Sequence, residues 1–181
     1  MRKTVRAFLL AVLTLLGYLF LYTPLKRKTP LCTLVGALPG AMPPLIGWAA
    51  ARGRLDPEAW ALYFIVFLWQ FPHFMAIAWM YREDYVRAGY RVLPAKPLRA
   101  RFVTWQTFVF SLALVPAALL PGVAGNSGAM YSVGAALLSL VFLYFSERFA
   151  FHRSNMTARR LLVSSILYLP LLFTLLVLAK K

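Results

Sequence analysis

Residues 69–94 read WQFPHFMAIAWMYREDYVRAGYRVLP, and this stretch decides how the rest of the chain is interpreted. It begins as an apolar helix and ends as a charged loop. Gln70 and His73 interrupt a run that is otherwise compatible with lipid, and the acidic pair Glu83 and Asp84 follows in a chain with only 5 acidic residues. Polar groups at membrane depth are costly, so each of these is a candidate for function before it is a candidate for packing.

The helical period aligns five side chains of this stretch on one face. They are Gln70, His73, Ile77, Tyr81 and Asp84. His73 would then lie roughly 16 Å deeper than Asp84, near the middle of a hydrocarbon core of ~30 Å. We therefore expect one face to run from a buried polar cavity to a charged mouth, which suits an amphiphilic substrate with a charged head and an apolar body.

The composition indicates an integral membrane protein. Of the 181 residues, 61% are hydrophobic, and the mean hydropathy is +0.70. The apolar residues come in helix-length blocks rather than the short alternating segments of a membrane barrel. A formal net charge of +15 would also suit nucleic acid, but the basic residues stand at the ends of the apolar blocks, as the positive-inside rule predicts. We therefore expect a lipid bilayer, and no nucleic acid, as the partner.

These blocks predict an all-α fold, a polytopic transmembrane helix bundle in a single membrane domain over residues 1–181. The six predicted spans cover about 5–22, 31–51, 58–81, 102–120, 129–149 and 161–179. The second span contains several glycines and prolines, so we expect it to be kinked or locally unwound where a cavity or other protein satisfies the freed backbone groups. Asp56, Pro57 and Glu58 together read as the start of the third helix.

Lys and Arg are concentrated in three loops on one side of the predicted membrane. These loops are residues 23–30, 82–101 and 148–160. The positive-inside rule makes this side cytoplasmic and places both termini outside, which leaves Arg2, Lys3 and Arg6 on the less basic side. We therefore expect the chain to be the C-terminal part of a longer protein with an odd number of spans upstream.

Two of these basic segments carry residue types that bind a diphosphate. The first offers Tyr22, Lys26 and Arg27, and the second offers the acidic pair and Arg87. Lys and Arg bind phosphate oxygens directly, whereas carboxylates hold Mg²⁺ that bridges them. Facing one cavity, such groups would hold a diphosphate and help it leave. Basic loop residues also serve as topology anchors, an alternative that the spacing alone leaves open.

Several segments in a fixed order resemble a known family over essentially the whole chain. They are YTPLKRKTP (22–30), GAMPPLIGW (40–48), WQFPHFMAIA (69–78), DYVRAG (84–89) and SSILYLPLLF (164–173). They resemble the heme O synthase (protoheme IX farnesyltransferase) family of the UbiA-type intramembrane prenyltransferase superfamily. The resemblance implies nine transmembrane helices, of which this chain would be the last six, in a bacterial inner membrane with cytoplasmic active-site loops.

The resemblance also implies a reaction and its partners. Such enzymes transfer a farnesyl group from farnesyl diphosphate to a vinyl group of heme B, with Mg²⁺ as cofactor, in heme biosynthesis for terminal oxidases. Heme A synthase is then a candidate protein partner. The catalytic residues would be Lys26, Arg27 and Asp84, while Tyr22 and Arg87 would help to bind the diphosphate.

Other residues acquire roles through the same resemblance. Glu83 would share the metal with Asp84. Trp69, Gln70 and His73 would line the heme and prenyl cavity. His73 would bind the heme iron or orient a propionate, or it would be a hydrogen-bonded packing residue.

The family's first acidic motif, NxxxDxxxD, has no counterpart in this sequence. Tyr81 and Tyr85 stand where the superfamily has the aspartates of a second motif, DxxxD, which makes metal binding by that loop less certain. We therefore expect the 181-residue chain alone not to catalyse transfer. A transporter or channel subunit, a heme-binding electron-transfer protein and a non-catalytic remnant remain alternatives.

Overall fold

A computed structural model describes residues 2–25, 32–89, 97–124 and 128–179 of the chain, all of them helical or in short connections. The elements are α1 (Arg2–Leu16), a π-helical segment (Gly17–Tyr22), α2 (Thr23–Leu25), α3 (Cys32–Gly40), α4 (Pro43–Arg52), α5 (Pro57–Met80), α6 (Arg82–Arg87), α7 (Pro97–Ala124), α8 (Gly128–Phe151) and α9 (Asn155–Ala179). Six stretches are long and apolar enough to cross a membrane. The predicted all-α bundle is therefore confirmed, and the described ranges contain no strand.

The four helices α5, α7, α8 and α9 form one packing unit, in which α5 and α8 each contact both α7 and α9. Its core combines large apolar side chains with small residues at the helix contacts, as is usual where helices pack in lipid. Buried hydrogen bonds join neighbouring helices of this unit, and in one of them the Tyr131 hydroxyl donates to Ala118 O at 2.8 Å. Ser111 Oγ lies 2.6 Å from Ser146 Oγ, and Ser139 Oγ lies 2.9 Å from the Tyr168 hydroxyl.

A second unit consists of α1, the π-helical segment, α3 and α4, with α1 packed along α4 and the π-helical segment along α3. Its small core contains Ala41 and Leu45 together with Ala59 and Tyr63 from the start of α5. The two units therefore meet at α5, and each has its own hydrophobic core.

The second predicted span is broken into α3 and α4, as its glycines and prolines predict. The break falls at Ala41 and Met42. The Ala41 N–H donates to Ala37 O at 3.1 Å and the Met42 N–H donates to Pro39 O at 3.2 Å, so the backbone groups beside the break remain hydrogen-bonded. Pro43 then begins α4, at a helix position where a missing N–H has no cost.

The third helix begins where the sequence predicts, at Pro57, but Asp56 does not cap it with its side chain. The Asp56 carboxylate instead accepts a hydrogen bond from Trp48 Nε1 at 3.2 Å and lies 2.9 Å from Arg54 Nε. The carboxylate therefore ties the end of α4 to the loop before α5.

The basic residues at the start of α1 have a structural role. Lys3 Nζ donates to Ala51 O at 3.2 Å, and the Arg6 guanidinium donates to Gly53 O. Cations stabilise the C-terminal carbonyls of a helix, and α4 ends here with Gly53 in the left-handed conformation. These contacts give Lys3 and Arg6 a structural reason to be basic, although the positive-inside rule predicts few basic residues on their side of the membrane.

Candidate functional site

A cavity of about 160 Å³ lies between the π-helical segment, α3 and the second half of α5. It is lined by Tyr18, Tyr22, Cys32, Thr33, Gly36, Gly40, Gln70, Phe74, Ala78 and Tyr85. The predicted residues Tyr22 and Gln70 are thus brought together although they are far apart in sequence. The cavity lies at the contact between the two packing units, and aromatic rings form much of its wall.

Two glycines of α3 make room for the side chains that face this cavity. A Cβ on Gly36 would lie 2.5 Å from Cδ2 of Tyr22, and a Cβ on Gly40 would lie 2.6 Å from Oε1 of Gln70. Both distances are far below a normal contact. The glycines are one helical turn apart, as in the small-residue spacing that lets membrane helices approach closely.

The π-helical segment coincides with the tyrosines of the cavity. Its hydrogen-bond pattern ends with the Thr23 N–H donating to Tyr18 O, and the Thr23 hydroxyl donates to the same carbonyl at 3.0 Å. The rings of Tyr18 and Tyr22 lie 4.8 Å apart. Single π-helical turns inside α-helices occur often at functional sites, and this one sets the direction of the two rings.

The predicted face from Gln70 to Asp84 is not a single helix surface. α5 ends at Met80, because Tyr81 leaves the helical conformation with φ −103° and ψ 23°. The short helix α6 follows, and Tyr85 rather than Asp84 lines the cavity.

Arg82 holds α6 against the rest of the fold. Its guanidinium donates to Trp79 O at 2.9 Å and to Asn155 Oδ1 at 2.8 Å. It also lies 5.5 Å from the centre of the Trp79 ring, which is a cation–π contact. The end of α5 is thereby fixed to the start of α9.

The acidic pair lies on the exposed surface of α6. The side chains of Glu83 and Asp84 are 81% and 63% exposed. Asp84 Oδ1 accepts a hydrogen bond from Arg87 at 2.7 Å. Within the described ranges no group of three or more His, Cys, Asp or Glu residues is placed to hold a metal ion. Mg²⁺ often binds one or two carboxylates together with substrate phosphates, so this pair fits a metal that arrives with a diphosphate.

Lys26 and Arg27, the principal predicted diphosphate ligands, lie outside the described residues. In sequence they stand between α2 and Cys32. Tyr22, just before them, and Cys32, just after them, both line the cavity.

Gln70 is buried, with 3% of its surface exposed, and its amide has a protein partner. Its Nε2 donates to Ala37 O at 2.7 Å. Together with the close approach of Gly40, this contact makes Gln70 part of the cavity wall between α3 and α5.

Trp69 and His73 face α9 rather than the cavity. Trp69 Nε1 donates to Ser165 O at 2.9 Å, and His73 Nδ1 lies 2.8 Å from Ser165 Oγ. The two rings stack with centres 4.7 Å apart and an interplanar angle of 21°. The three residues predicted for one cavity, Trp69, Gln70 and His73, are therefore divided between two contacts of α5.

Gly36, Gly40 and Ser165 are among the residues of the site that the sequence analysis does not mark as functional candidates. Gly36 and Gly40 were interpreted as helix breakers, although their spacing of four residues is itself a signal for close helix packing. Ser165 carries no such signal, because its importance depends on a contact with α5 from a distant part of the chain.

The chain is similar to known proteins over most of its length. The UbiA prenyltransferase family matches residues 4–177 of the chain. Among curated relatives, the "Protoheme IX farnesyltransferase" of Solibacter usitatus (strain Ellin6076) is 53% identical over 165 residues, which cover 91% of this chain and 56% of that protein.

Two further relatives carry the same printed name. The protein of Koribacter versatilis (strain Ellin345) is 43% identical over 93% of this chain and 57% of its own length. The protein of Salinibacter ruber (strain DSM 13855 / M31) is 44% identical over 88% of this chain and 56% of its own length. The chain thus spans a little over half the length of the curated relatives it matches. No solved structure matches it.

Proposed function

The chain belongs to the UbiA prenyltransferase family, and we propose that it contributes to the transfer of a farnesyl group from farnesyl diphosphate to a vinyl group of heme B, which yields heme O. The substrates are those that the relatives' printed name implies. The single observation that carries the proposal is the cavity at the contact between the two packing units, where Tyr22 and Tyr85 come together from segments that the family resemblance assigns to the diphosphate site.

Binding of the diphosphate is assigned to both sides of this cavity. Lys26 and Arg27 follow Tyr22 in sequence, and they would supply charge-assisted hydrogen bonds to phosphate oxygens as the allylic C–O bond breaks. Arg87 is 76% exposed and pairs with a similarly exposed carboxylate. Exposed pairs contribute little stability, so this arginine can exchange Asp84 for a phosphate.

Glu83 and Asp84 would hold Mg²⁺ together with the diphosphate. The metal would neutralise negative charge on the leaving group. The chain itself supplies the apolar and aromatic wall that keeps water from the allylic cation before the heme vinyl group attacks it. Water then adds to the new cation on the former vinyl group and loses a proton, which leaves the hydroxyl group of heme O, and the diphosphate departs as the other product. Trp69 and His73 would serve the heme side of the site and Gln70 the prenyl side, in keeping with their division between α9 and α3.

We also propose that the cavity end of the bundle faces the cytoplasm of a bacterial cell, in the inner membrane. The positive-inside rule supports this orientation, because the loops at that end carry most of the Lys and Arg residues. Protease or cysteine-reagent access in right-side-out and inverted vesicles tests it.

Turnover by the 181-residue chain alone is not expected. Two exposed carboxylates are few for a metal-bound diphosphate, and the NxxxDxxxD pattern of the family has no counterpart in the sequence. The test is heme O formation from heme B and farnesyl diphosphate, followed by mass spectrometry. The chain is assayed alone and co-expressed with the part of the Solibacter relative to which it does not align.

The proposal predicts heme O only in the co-expressed sample. As a control, Lys26→Ala with Arg27→Ala in the same sample should abolish product. Product from the chain alone would contradict the expectation of inactivity, and absence of product from both samples, with both segments present in the membrane, would contradict the proposed function.

A further inference from the structure

Ser165 of α9 contacts two aromatic side chains of α5 at once. Its carbonyl oxygen accepts the Trp69 Nε1 hydrogen at 2.9 Å, and its Oγ lies 2.8 Å from His73 Nδ1. The stacked rings of Trp69 and His73 are therefore both held by one residue. We call these three residues the Ser165 clamp.

The direction of the hydrogen bond to His73 follows from a third contact. Ser165 Oγ also lies 2.6 Å from Leu162 O. A carbonyl oxygen only accepts, and a serine hydroxyl has one hydrogen. With that hydrogen donated to Leu162 O, Oγ accepts from His73, whose proton is then on Nδ1.

The opposite arrangement is less favourable. If Ser165 donated to Nδ1, its hydrogen bond to Leu162 O would be lost, and the proton of a neutral ring would move to Nε2. The described residues offer Nε2 no acceptor, and an unpartnered N–H at membrane depth is costly. A doubly protonated ring would place a charge at the same depth.

We infer that Ser165 is a positioning residue that fixes His73 in the Nδ1–H tautomer, so that Nε2 presents a lone pair to an electron-pair acceptor, the iron of a metalloporphyrin. The identity of this ligand rests on the proposed function. The tautomer distinguishes two roles for His73, because an Nε2 without hydrogen can ligate iron but cannot donate a hydrogen bond to a propionate. No fully buried side-chain nitrogen or oxygen in the described part of the chain lacks a partner, so Nε2, for which no partner is found there, is not completely buried.

The tautomer can be measured without any ligand. The chain has 2 histidines, so nitrogen-15 histidine labelling gives two imidazoles, and His152→Gln leaves the signal of His73 alone. In lipid nanodiscs we expect His73 protonated at Nδ1. Ser165→Ala should move the proton, wholly or in part, to Nε2, whereas Ser165→Thr keeps a hydroxyl and should retain the wild-type tautomer.

Ser164→Ala is the matched control. Ser164 Oγ donates to Leu161 O at 2.8 Å, in the same way as its neighbour bonds to Leu162, but it makes no contact with His73. This variant should leave the histidine spectrum unchanged. An Nε2–H tautomer in the wild-type chain, or an unchanged tautomer in Ser165→Ala, would overturn the positioning role.

The ligand is tested with hemin alone, by absorption and electron paramagnetic resonance spectra. The wild-type chain and Ser164→Ala should show a nitrogen ligand to iron that His73→Ala lacks. Removal of a group that orients a metal-ligating histidine costs about 10- to 100-fold in affinity, and we expect that loss for Ser165→Ala.

If hemin shows no nitrogen ligand while His73 is protonated at Nδ1, iron ligation is overturned and the positioning role stands. Heme O formation in the co-expressed sample tests the proposed function separately.

Discussion

Replacement of Gly36 by alanine should destabilise the protein through one identifiable contact. The added Cβ would lie 2.5 Å from Cδ2 and 2.8 Å from Cε2 of the Tyr22 ring. Carbon atoms in favourable contact are about 3.5–4.0 Å apart. The ring would therefore have to move about 1 Å away from α3.

The expected cost is about 1–3 kcal/mol, the range for an extra methyl group in a well-packed site. A second glycine, Gly47 in α4, provides the matched control, because a Cβ there would have no atom within 4 Å. Both substitutions remove a glycine from a helix and gain the same propensity for helix. The difference between Gly36→Ala and Gly47→Ala therefore measures the steric term alone.

The free energy of unfolding of both variants can be measured by titration with sodium dodecyl sulfate in mixed micelles. Gly47→Ala should be as stable as the wild-type chain or slightly more stable. Gly36→Ala should be less stable than Gly47→Ala by the amount given above.

A double-mutant cycle identifies the ring as the cause. If the clash is with Tyr22, Gly36→Ala should cost almost nothing in a Tyr22→Ala background, since the atoms that it meets are gone. An equal cost in both backgrounds, or equal stability of the two glycine variants, would refute the assigned role of Gly36.

Four other substitutions test contacts elsewhere in the fold by the same unfolding measurement. Tyr168→Phe removes the buried hydrogen bond to Ser139 and should cost about 0.5–1.5 kcal/mol, and unchanged stability would contradict that bond. Gly53→Ala places a side chain at φ 71° and should cost about 1–2 kcal/mol, whereas a neutral result would argue against the left-handed end of α4. Arg82→Ala should lower stability by about 1 kcal/mol, while Arg87→Ala should change it by less than about 0.5 kcal/mol; the reverse order would contradict the placement of α6.

The helices and their approximate ends could be predicted, because a helix that crosses a membrane needs a long apolar segment and such segments are visible in the hydropathy of the sequence. The break in the second span was predictable for the same reason, since proline and glycine act on the local backbone. The end of α5 also agrees with the predicted span over 58–81, but the surface that follows it could not be predicted. The predicted helix face continues to Asp84, whereas the structure ends the helix at Met80, and Arg82 fixes the next turn through Asn155 of α9. That contact joins residues far apart in sequence.

Residues of the candidate site were predictable only where the residue type and its neighbours in sequence already suggest a role. Tyr22 and Gln70 were identified, and the structure places both in the cavity wall. The separation of Gln70 from His73 could not be foreseen, because it depends on Ala37 of α3 and Ser165 of α9, two helices that contact α5 from distant parts of the chain. Lys26 and Arg27 lie outside the described residues, so their roles stay predictions.

The break at Ala41 and Met42 has a mechanical consequence. α3 carries one wall of the cavity, while α4 is fixed by the core around Leu45 and by the cations at the start of α1. α3 is therefore a lever about 14 Å long, pivoted at its C-terminal end. A tilt of about 10° would move Cys32, at the N-terminal end of α3, by about 2 Å. The cavity of about 160 Å³ is smaller than the ~300–1,000 Å³ of a typical ligand site, and a tilt of α3 away from α5 would enlarge it.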